Sequence, residues 1–328
     1  MTFVLKDNEK QYILNEKIGK GATCECYLGQ KMNEETSKIL AIKVFQEKYY
    51  QFYSNEISFL SKLNDNENII RLISYGKGVL TPKINKENNN NNNPDNKIVY
   101  YQVLEYASNG ELKDYVNGTS SRIPENISAK LFIRIVYAVK YLHENGIAHC
   151  DLKPENILLD NYFNPKINDF GFSQKFDGKH GDYLIHKSSG TPNYSSPDVR
   201  HAFTKGYNGI KNDIFSLGVL LFVITIGEFP FVTPTFSDEK YRFIIKRQFD
   251  RFWRFFNHIK ISDEFKDLIN KLISLNPATR LTTDEILKHP WLIKQLGLNY
   301  NEDNNYVINE VYDKELIEEF NSRKRWIW

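Results

Sequence analysis

The sequence predicts an α+β chain in two lobes, a small strand-rich one followed by a larger helical one, and three observations carry that prediction. Up to about residue 106 the apolar residues cluster in short runs of β-branched and aromatic side chains, as strands require. From about 107 onward they recur at helical spacing. At 328 residues, 41% hydrophobic and 26% charged, the chain can bury a sizeable core and is far from a disordered or collagen-like composition.

Taken in order, strands are expected at Tyr12–Leu14, Leu40–Phe45, Ile69–Ile73 and Ile98–Leu104. One helix interrupts them at Ser54–Leu63, with Ile57, Leu60 and Leu63 recurring on one face. The later helices are Ala129–His143, with Leu131, Ile135, Val139 and Leu142 on one stripe, then Asp213–Ile226, Asp263–Leu275 and Thr283–Leu287. Ser262 is placed to cap the third of these, and Pro277 stops it. Ile214–Ile226 is the most apolar stretch, but it falls short of the ~18 to 20 residues that span a bilayer and carries Ser216 and Gly218. A buried core helix is expected there, and no membrane span. Residues 81–97 are rich in Asn and read as a disordered surface insertion; residues 297–328 form a C-terminal tail.

Charge and cysteine content narrow the function classes. Forty-three basic and 41 acidic side chains leave a net charge of +2, which gives no field for nucleic acid or an anionic membrane. The aromatic and basic run at 241–256 has helical spacing, so it reads as core-facing aromatics with solvated arginines. Cys24, Cys26 and Cys150 make neither a disulfide framework nor a zinc site. The first residues, Met1-Thr2-Phe3-Val4-Leu5-Lys6-Asp7, lack the apolar core of a secretory signal and have no Gly at position 2. A reducing, cytoplasmic setting is the expectation.

Several short motifs together point to a chemistry. Ile18-Gly19-Lys20-Gly21-Ala22-Thr23-Cys24-Glu25-Cys26 has two glycines that let backbone approach phosphates. Ala41-Ile42-Lys43-Val44 sets one cation among apolar neighbours, and Glu56 on the following helix is its obvious partner. His149-Cys150-Asp151-Leu152-Lys153-Pro154-Glu155-Asn156, followed by Asn168-Asp169-Phe170-Gly171, collects two carboxylates, a lysine and a carboxamide. Phosphoryl transfer needs that inventory: a carboxylate for the attacking hydroxyl, a cation for the phosphoryl group, and oxygen ligands for Mg²⁺.

These motifs make residues 12–296 resemble the eukaryotic protein kinase family of Ser/Thr type, nearest to the calcium/calmodulin-dependent-kinase-like group. The resemblance implies a bilobal kinase fold, with an N-lobe at about 12–106 and a C-lobe at about 107–296. It implies ATP contacts from Ile18, Gly19, Gly21, Cys26, Ala41, Lys43, Glu56 and Leu104, and from Glu105 and Ala107 of the hinge. Asp151 would be the catalytic base, Lys153 would neutralise the γ-phosphate, and Asn156 and Asp169 would hold Mg²⁺. Asp-x-Lys-Pro-x-Asn at 151–156 is the Ser/Thr-type pattern. Thr191 would contact Asp151 and Lys153; Asp213 would anchor the catalytic loop; Arg280 would pair with Asp198; Leu60, His149 and Phe170 match an apolar spine.

Where the sequence departs from the family pattern, expectations change. Cys24 takes the place of the third loop glycine and Cys26 that of a valine. Cys150 stands where most kinases have the Arg that meets a phosphorylated activation segment, and a thiol cannot make that charge-assisted pair. Turnover independent of activation-segment phosphorylation is therefore expected. The substrates implied are proteins with Ser or Thr acceptors, with Glu111 and Glu155 placed to favour upstream basic residues. A monomer is expected and calmodulin is not an expected partner, since Glu315, Glu318 and Glu319 dilute the basic face of the tail. The competing reading is a pseudokinase scaffold or binding module.

Overall fold

A computed structural model describes residues 2–32, 38–82, 96–116, 122–176, 184–298 and 313–324. The chain divides into two compact units, Met1–Ser108 and Asn109–Trp328.

The first unit is a closed barrel in the strand order β1-β2-β3-β4-β6-β5. Its strands are β1 (Phe3–Lys6), β2 (Gln11–Lys20), β3 (Cys24–Lys31), β4 (Leu40–Gln46), β5 (Leu72–Pro82) and β6 (Lys97–Glu105), with helix α1 (Tyr50–Leu60) between β4 and β5. Leu40, Ile42 and Val44 of β4 enter the barrel core with Leu5, Tyr12, Leu14, Tyr27, Leu80, Val99, Tyr101 and Val103. The period of two along each strand therefore leaves Ala41, Lys43, Gln102 and Leu104 on the opposite face.

Barrel closure rests on β1, which pairs with both β2 and β5. A Cβ on Gly78 would lie 2.8 Å from the Lys6 carbonyl oxygen, so this close approach needs glycine. At the turn after β1, the Asp7 carboxylate accepts from the N–H groups of Glu9 and Lys10 and from the Tyr101 hydroxyl. Burial raises the Asp7 carboxyl, but these hydrogen bonds outweigh it and hold the group below its usual value.

Three sequence expectations are corrected here. Helix α1 starts four residues before Ser54 and ends at Leu60, and its buried residues are Tyr53, Glu56, Phe59 and Leu60. Ile57 is only half-buried, because the helix turns its Tyr53 and Glu56 side to the sheet; Leu63 is buried just beyond the helix end. Ile69 and Ile70 lie before β5, buried without being strand residues. Strand structure also claims Thr81, Pro82 and Lys97 at the margins of the expected insertion; residues 83–95 lie outside the described residues.

The second unit is mainly helical. Its elements in order are α2 (Lys113–Val116), α3 (Glu125–Glu144), β7 (Ile147–Ala148), β8 (Ile157–Leu159), β9 (Pro165–Ile167), β10 (Gln174–Lys175), β11 (Leu184–Ile185), α4 (Ala202–Lys205), β12 (Tyr207–Asn208) and α5 (Gly209–Ile226). There follow α6 (Glu239–Ile245), α7 (Phe249–Arg254), α8 (Asp263–Leu272), α9 (Thr283–Leu287), α10 (Pro290–Leu296) and α11 (Lys314–Lys324). Helix α5 is long and apolar enough to cross a membrane by composition, but 89% of that window is buried inside the protein, against α3 and α8 among others. The Ser262 hydroxyl caps α8 by accepting from the Phe265 N–H, and Thr282 and Glu285 form a capping box on α9. In the 241–256 run, Tyr241, Phe252, Trp253 and Phe256 are buried while Arg247, Arg251 and Arg254 are exposed, as the helical spacing predicted.

The tail supplies α11, which docks on this unit. Phe320 packs against Tyr115 and Phe163 with ring centroids 5.2 and 5.4 Å away, and Lys130 bridges Asp313 and Glu315. Arg323 is buried, donating to the Arg122 carbonyl and to Glu319; Lys324 Nζ donates to Asn109 Oδ1 at 2.6 Å. Residues 299–312 and 325–328 of the expected tail lie outside the described residues.

Candidate active site

The sequence-predicted residues fall into two clusters, one on each unit. On the first unit they share one face of the sheet. Strand register sets Gly19 opposite Cys26, Cys26 opposite Lys43, and Ala41 opposite Leu104. Residues directly opposite in a sheet project to the same side. Glycine spacing loosens the end of β2, where the pairing slips between Lys17 and Gly19; Ile18 is exposed there, and Gly21 N–H donates to the Cys24 carbonyl across the loop tip at 2.9 Å.

Lys43 and Glu56 meet as expected, Nζ to Oε1 at 2.6 Å. Both are buried, and a buried charge is tolerable only in such a pair. Burial raises the Cys26 thiol above its usual range, Lys43 working against that rise. Leu104 and Ala107 are buried, and the Glu105 N–H donates to the Arg71 carbonyl while its carboxylate accepts from the Arg71 N–H.

Sequence reasoning missed Gln102. It lies directly opposite Lys43, and its Nε2 donates to Glu56 Oε2 at 3.1 Å. A polar residue inside the apolar run Ile98–Leu104, at a period-two distance from Leu104, was the available signal.

On the second unit the site is a loop network. Asp213 is fully buried and accepts from the N–H groups of His149 and Cys150, both at 2.8 Å, and faces His143 Nε2 at 3.0 Å. These bonds hold a loop in which Cys150 takes a left-handed φ of 66°. Gly190 crosses this loop with φ of 90°; a Cβ there would lie 2.2 Å from the Cys150 carbonyl oxygen. That close crossing delivers Thr191 to Asp151.

Asp151 is almost wholly buried. Its Oδ1 accepts from the Thr191 N–H and hydroxyl, each at 2.7 Å, and its Oδ2 from Asn156 Nδ2 at 2.9 Å, with Lys153 Nζ also 2.9 Å away. Lys153 donates as well to the Thr191 hydroxyl at 2.7 Å. An ammonium has three donors, and two acceptors are found for it among the described residues, so one N–H is left for a phosphoryl oxygen.

The β8–β9 hairpin brings Asn156 and Asp169 together. Ile157 pairs with Ile167, and the Asn168 N–H donates to the Asn156 carbonyl at 2.9 Å. Because Nδ2 of Asn156 is spent on Asp151, its carboxamide oxygen is the group left to offer; Asp169, at φ of 62°, adds a carboxylate. Two hard oxygen donors from one hairpin suit Mg²⁺. No cluster of three or more His, Cys, Asp or Glu able to hold a metal occurs among the described residues, so further ligands would come from phosphate and water.

Around the loop, Arg280 Nη2 meets Asp198 Oδ2 at 2.8 Å, and the His149 ring packs edge-on to Phe170 with centroids 5.1 Å apart. Cys150 is buried in an apolar cluster with Ala148, Phe176, Ile185, Val199, Ala202 and Tyr207. Burial, reinforced by the charge of Asp213, pushes its thiol well above the usual range. The Tyr207 hydroxyl pairs with Ser189 Oγ at 2.9 Å. Glu111 has its carboxyl pushed up by burial, with Asp114 and Glu155 adding to the rise, and Glu155 Oε2 is buried with no hydrogen-bond partner among the described residues.

The chain matches the protein kinase domain family over residues 12–292. It belongs to the protein kinase family. Among its relatives, CBL-interacting protein kinase 11 of Oryza sativa subsp. japonica is 32% identical over 289 residues, 88% of this chain and 53% of that protein. CBL-interacting protein kinase 2 of the same plant is 35% identical over 295 residues, 89% of this chain and 61% of that protein. CBL-interacting serine/threonine-protein kinase 20 of Arabidopsis thaliana is 31% identical over 286 residues, 87% and 59% respectively. This kinase chain thus spans between half and two thirds of the length of the curated relatives it matches.

Proposed function

We propose that the protein is a Ser/Thr protein kinase that transfers the γ-phosphoryl group of Mg-ATP to protein hydroxyls. The observation that carries this reading is the Asp151–Thr191–Lys153 network: a buried carboxylate, hydrogen-bonded on both oxygens, beside an ammonium with a donor to spare. Asp151 orients the acceptor hydroxyl and takes its proton, while Lys153 balances charge developing on the transferred group. Lys43, steadied by Glu56, engages the α- and β-phosphates, and Ile18, Gly19, Gly21, Cys26, Ala41, Leu104, Glu105 and Ala107 surround the nucleotide. Asn156 and Asp169 would hold Mg²⁺, which when bound would neutralise phosphate charge. Catalysis of this kind is positioning plus electrostatics.

Two finer readings follow. Glu155 Oε2 is buried without a partner among the described residues and adds to the upward shift of the Glu111 carboxyl, and both favour a cationic side chain upstream of the acceptor. The second concerns activation. Packing of Cys150 with Ile185, Val199 and Tyr207 holds the described part of the activation segment by apolar contact, with no need of a phosphate–arginine pair; residues 177–183 of that segment lie outside the described residues.

Radiolabelled ATP with mixed Ser, Thr and Tyr peptides tests the reaction. Label should enter Ser and Thr peptides, prefer those with upstream Arg, and survive phosphatase treatment of the enzyme. No label above the Asp151→Asn and Asp169→Asn variants would favour a scaffold. An essential phosphosite among Ser188, Ser189 and Thr191, restored by an acidic replacement, would overturn phosphorylation independence.

A further inference from the structure

Gln102 is fully buried beneath α1, on the outer face of the barrel that also carries Lys43 and Leu104. Glu56 reaches this face from the helix and divides its carboxylate between two strands. Oε1 takes Lys43 Nζ of β4 at 2.6 Å, and Oε2 takes Gln102 Nε2 of β6 at 3.1 Å. The two donors are locked side by side by the backbone ladder, since Lys43 and Gln102 are register partners. A carboxylate gripped this way has both its place and its plane fixed.

Packing alone does not account for this glutamine. Its own Oε1 is buried with no hydrogen-bond partner among the described residues, a penalty that an apolar side chain of the same length avoids. The unmatched oxygen is tolerable if the amide N–H on the other side has work that a hydrocarbon cannot do. That work is visible: without Gln102, Oε2 of a nearly inaccessible Glu56 loses a donor.

We propose that Gln102 is a positioning residue that holds α1 where Glu56 meets Lys43, so that the nucleotide-gripping form of the lysine is built into the folded first unit. The inference rests on the kinase reading, because it concerns how Lys43 is presented to ATP. It differs from the matter of Cys150, which concerns the second unit. A helix held by a hydrogen bond between sheet and carboxylate needs no outside contact to keep Lys43 and Glu56 together.

The test is a double-mutant cycle read by the dissociation constant for Mg-ATP, measured calorimetrically on the full chain. Gln102→Met keeps length and removes the donor. It should weaken binding about tenfold, the worth of one hydrogen bond to a charged acceptor, and lower the unfolding midpoint only modestly, because removing the unmatched Oε1 offsets part of the cost of leaving Glu56 Oε2 without its donor. In a Glu56→Ala background, the same Gln102→Met change should alter the constant by less than about twofold. Should Gln102→Met lose cooperative unfolding, Gln102→Asn, polar but a methylene too short to reach Glu56, takes its place with the same expectations for binding alone, since it keeps a buried carboxamide. Binding as tight as wild type in Gln102→Met, or an equal loss with and without Glu56, would overturn the proposal. Wild-type chain that binds no ATP would overturn the kinase reading and this inference with it; binding by wild type with an indifferent Gln102 would overturn the inference alone.

Discussion

In the second unit Asp151 is held by groups from its own loop and a crossing segment, and that loop hangs on Asp213. In the first unit Lys43 meets a partner carried by a helix, and the barrel behind it is closed by a ladder of backbone bonds spread over six strands. Support is concentrated in a few buried residues in one case and distributed in the other. The difference teaches where each half can fail. A concentrated network breaks when one side chain is lost, whereas a ladder tolerates the loss of any single polar contact and leaves the helix-borne Glu56 to depend on its two side-chain bonds to Lys43 and Gln102.

The largest effect is expected at the point of greatest concentration. Asp151→Asn should lower kcat for peptide phosphorylation by about a thousandfold, the scale of a lost general base, and should lower the unfolding midpoint too, because the groups around the carboxylate are all donors and a carboxamide offers them only one oxygen. Asp213→Ala strips three partners of a fully buried anion and should cost about 3 to 5 kcal/mol in urea unfolding, taking activity with it. If Asp213→Ala were as stable as wild type, support in the second unit would be distributed after all. Phe320→Ala removes a ring packed on Tyr115 and Phe163 and should cost about 3 kcal/mol, read by the fluorescence of Trp253 and Trp291.

The first unit should yield the smallest effect. The Asp7 carboxyl is held below its ordinary value, so the anion is the form the fold favours. Its contribution to stability is present above the unfolded value of 3.8 and drains away as pH falls through the lower folded value. Asp7→Asn should therefore flatten the acid limb below about pH 4 and shift stability at pH 7 by under about 1 kcal/mol, since the group is largely solvated. A loss of several kcal/mol would mean that barrel closure hangs on this one turn and that the contrast between the units is false.

Chemistry was far more legible in the sequence than architecture. Lys43, Glu56, Asp151, Lys153, Thr191, Asp213 and Arg280 sit in short motifs whose order restricts their partners, and the geometry brings together each pairing expected of them. Strand β1 was not legible, because four residues give no period and its β5 partners, Val79 to Pro82, lie more than about seventy residues on in the chain. Helix α1 was placed four residues late because in its first turn only Tyr53 is buried, so Tyr50 and Phe52 add nothing to an apolar stripe. Gln102 left a local signal, a polar residue two before Leu104, but its place opposite Lys43 needed the register, which the local pattern does not fix. The same holds for α11, whose Phe320 finds Tyr115 and Phe163 across about two hundred and about one hundred and fifty residues of sequence.

Closure of the barrel by β1 has a consequence for recognition. An open sheet offers unpaired N–H and C=O groups at its edges, where an extended peptide or a second copy can add a strand. With β1 bonded to both β2 and β5, the barrel formed by the described residues of the first unit has no such edge to offer. A protein that engages this unit must therefore grip side chains, such as the exposed Tyr50 and Phe52 of α1, instead of extending its backbone ladder.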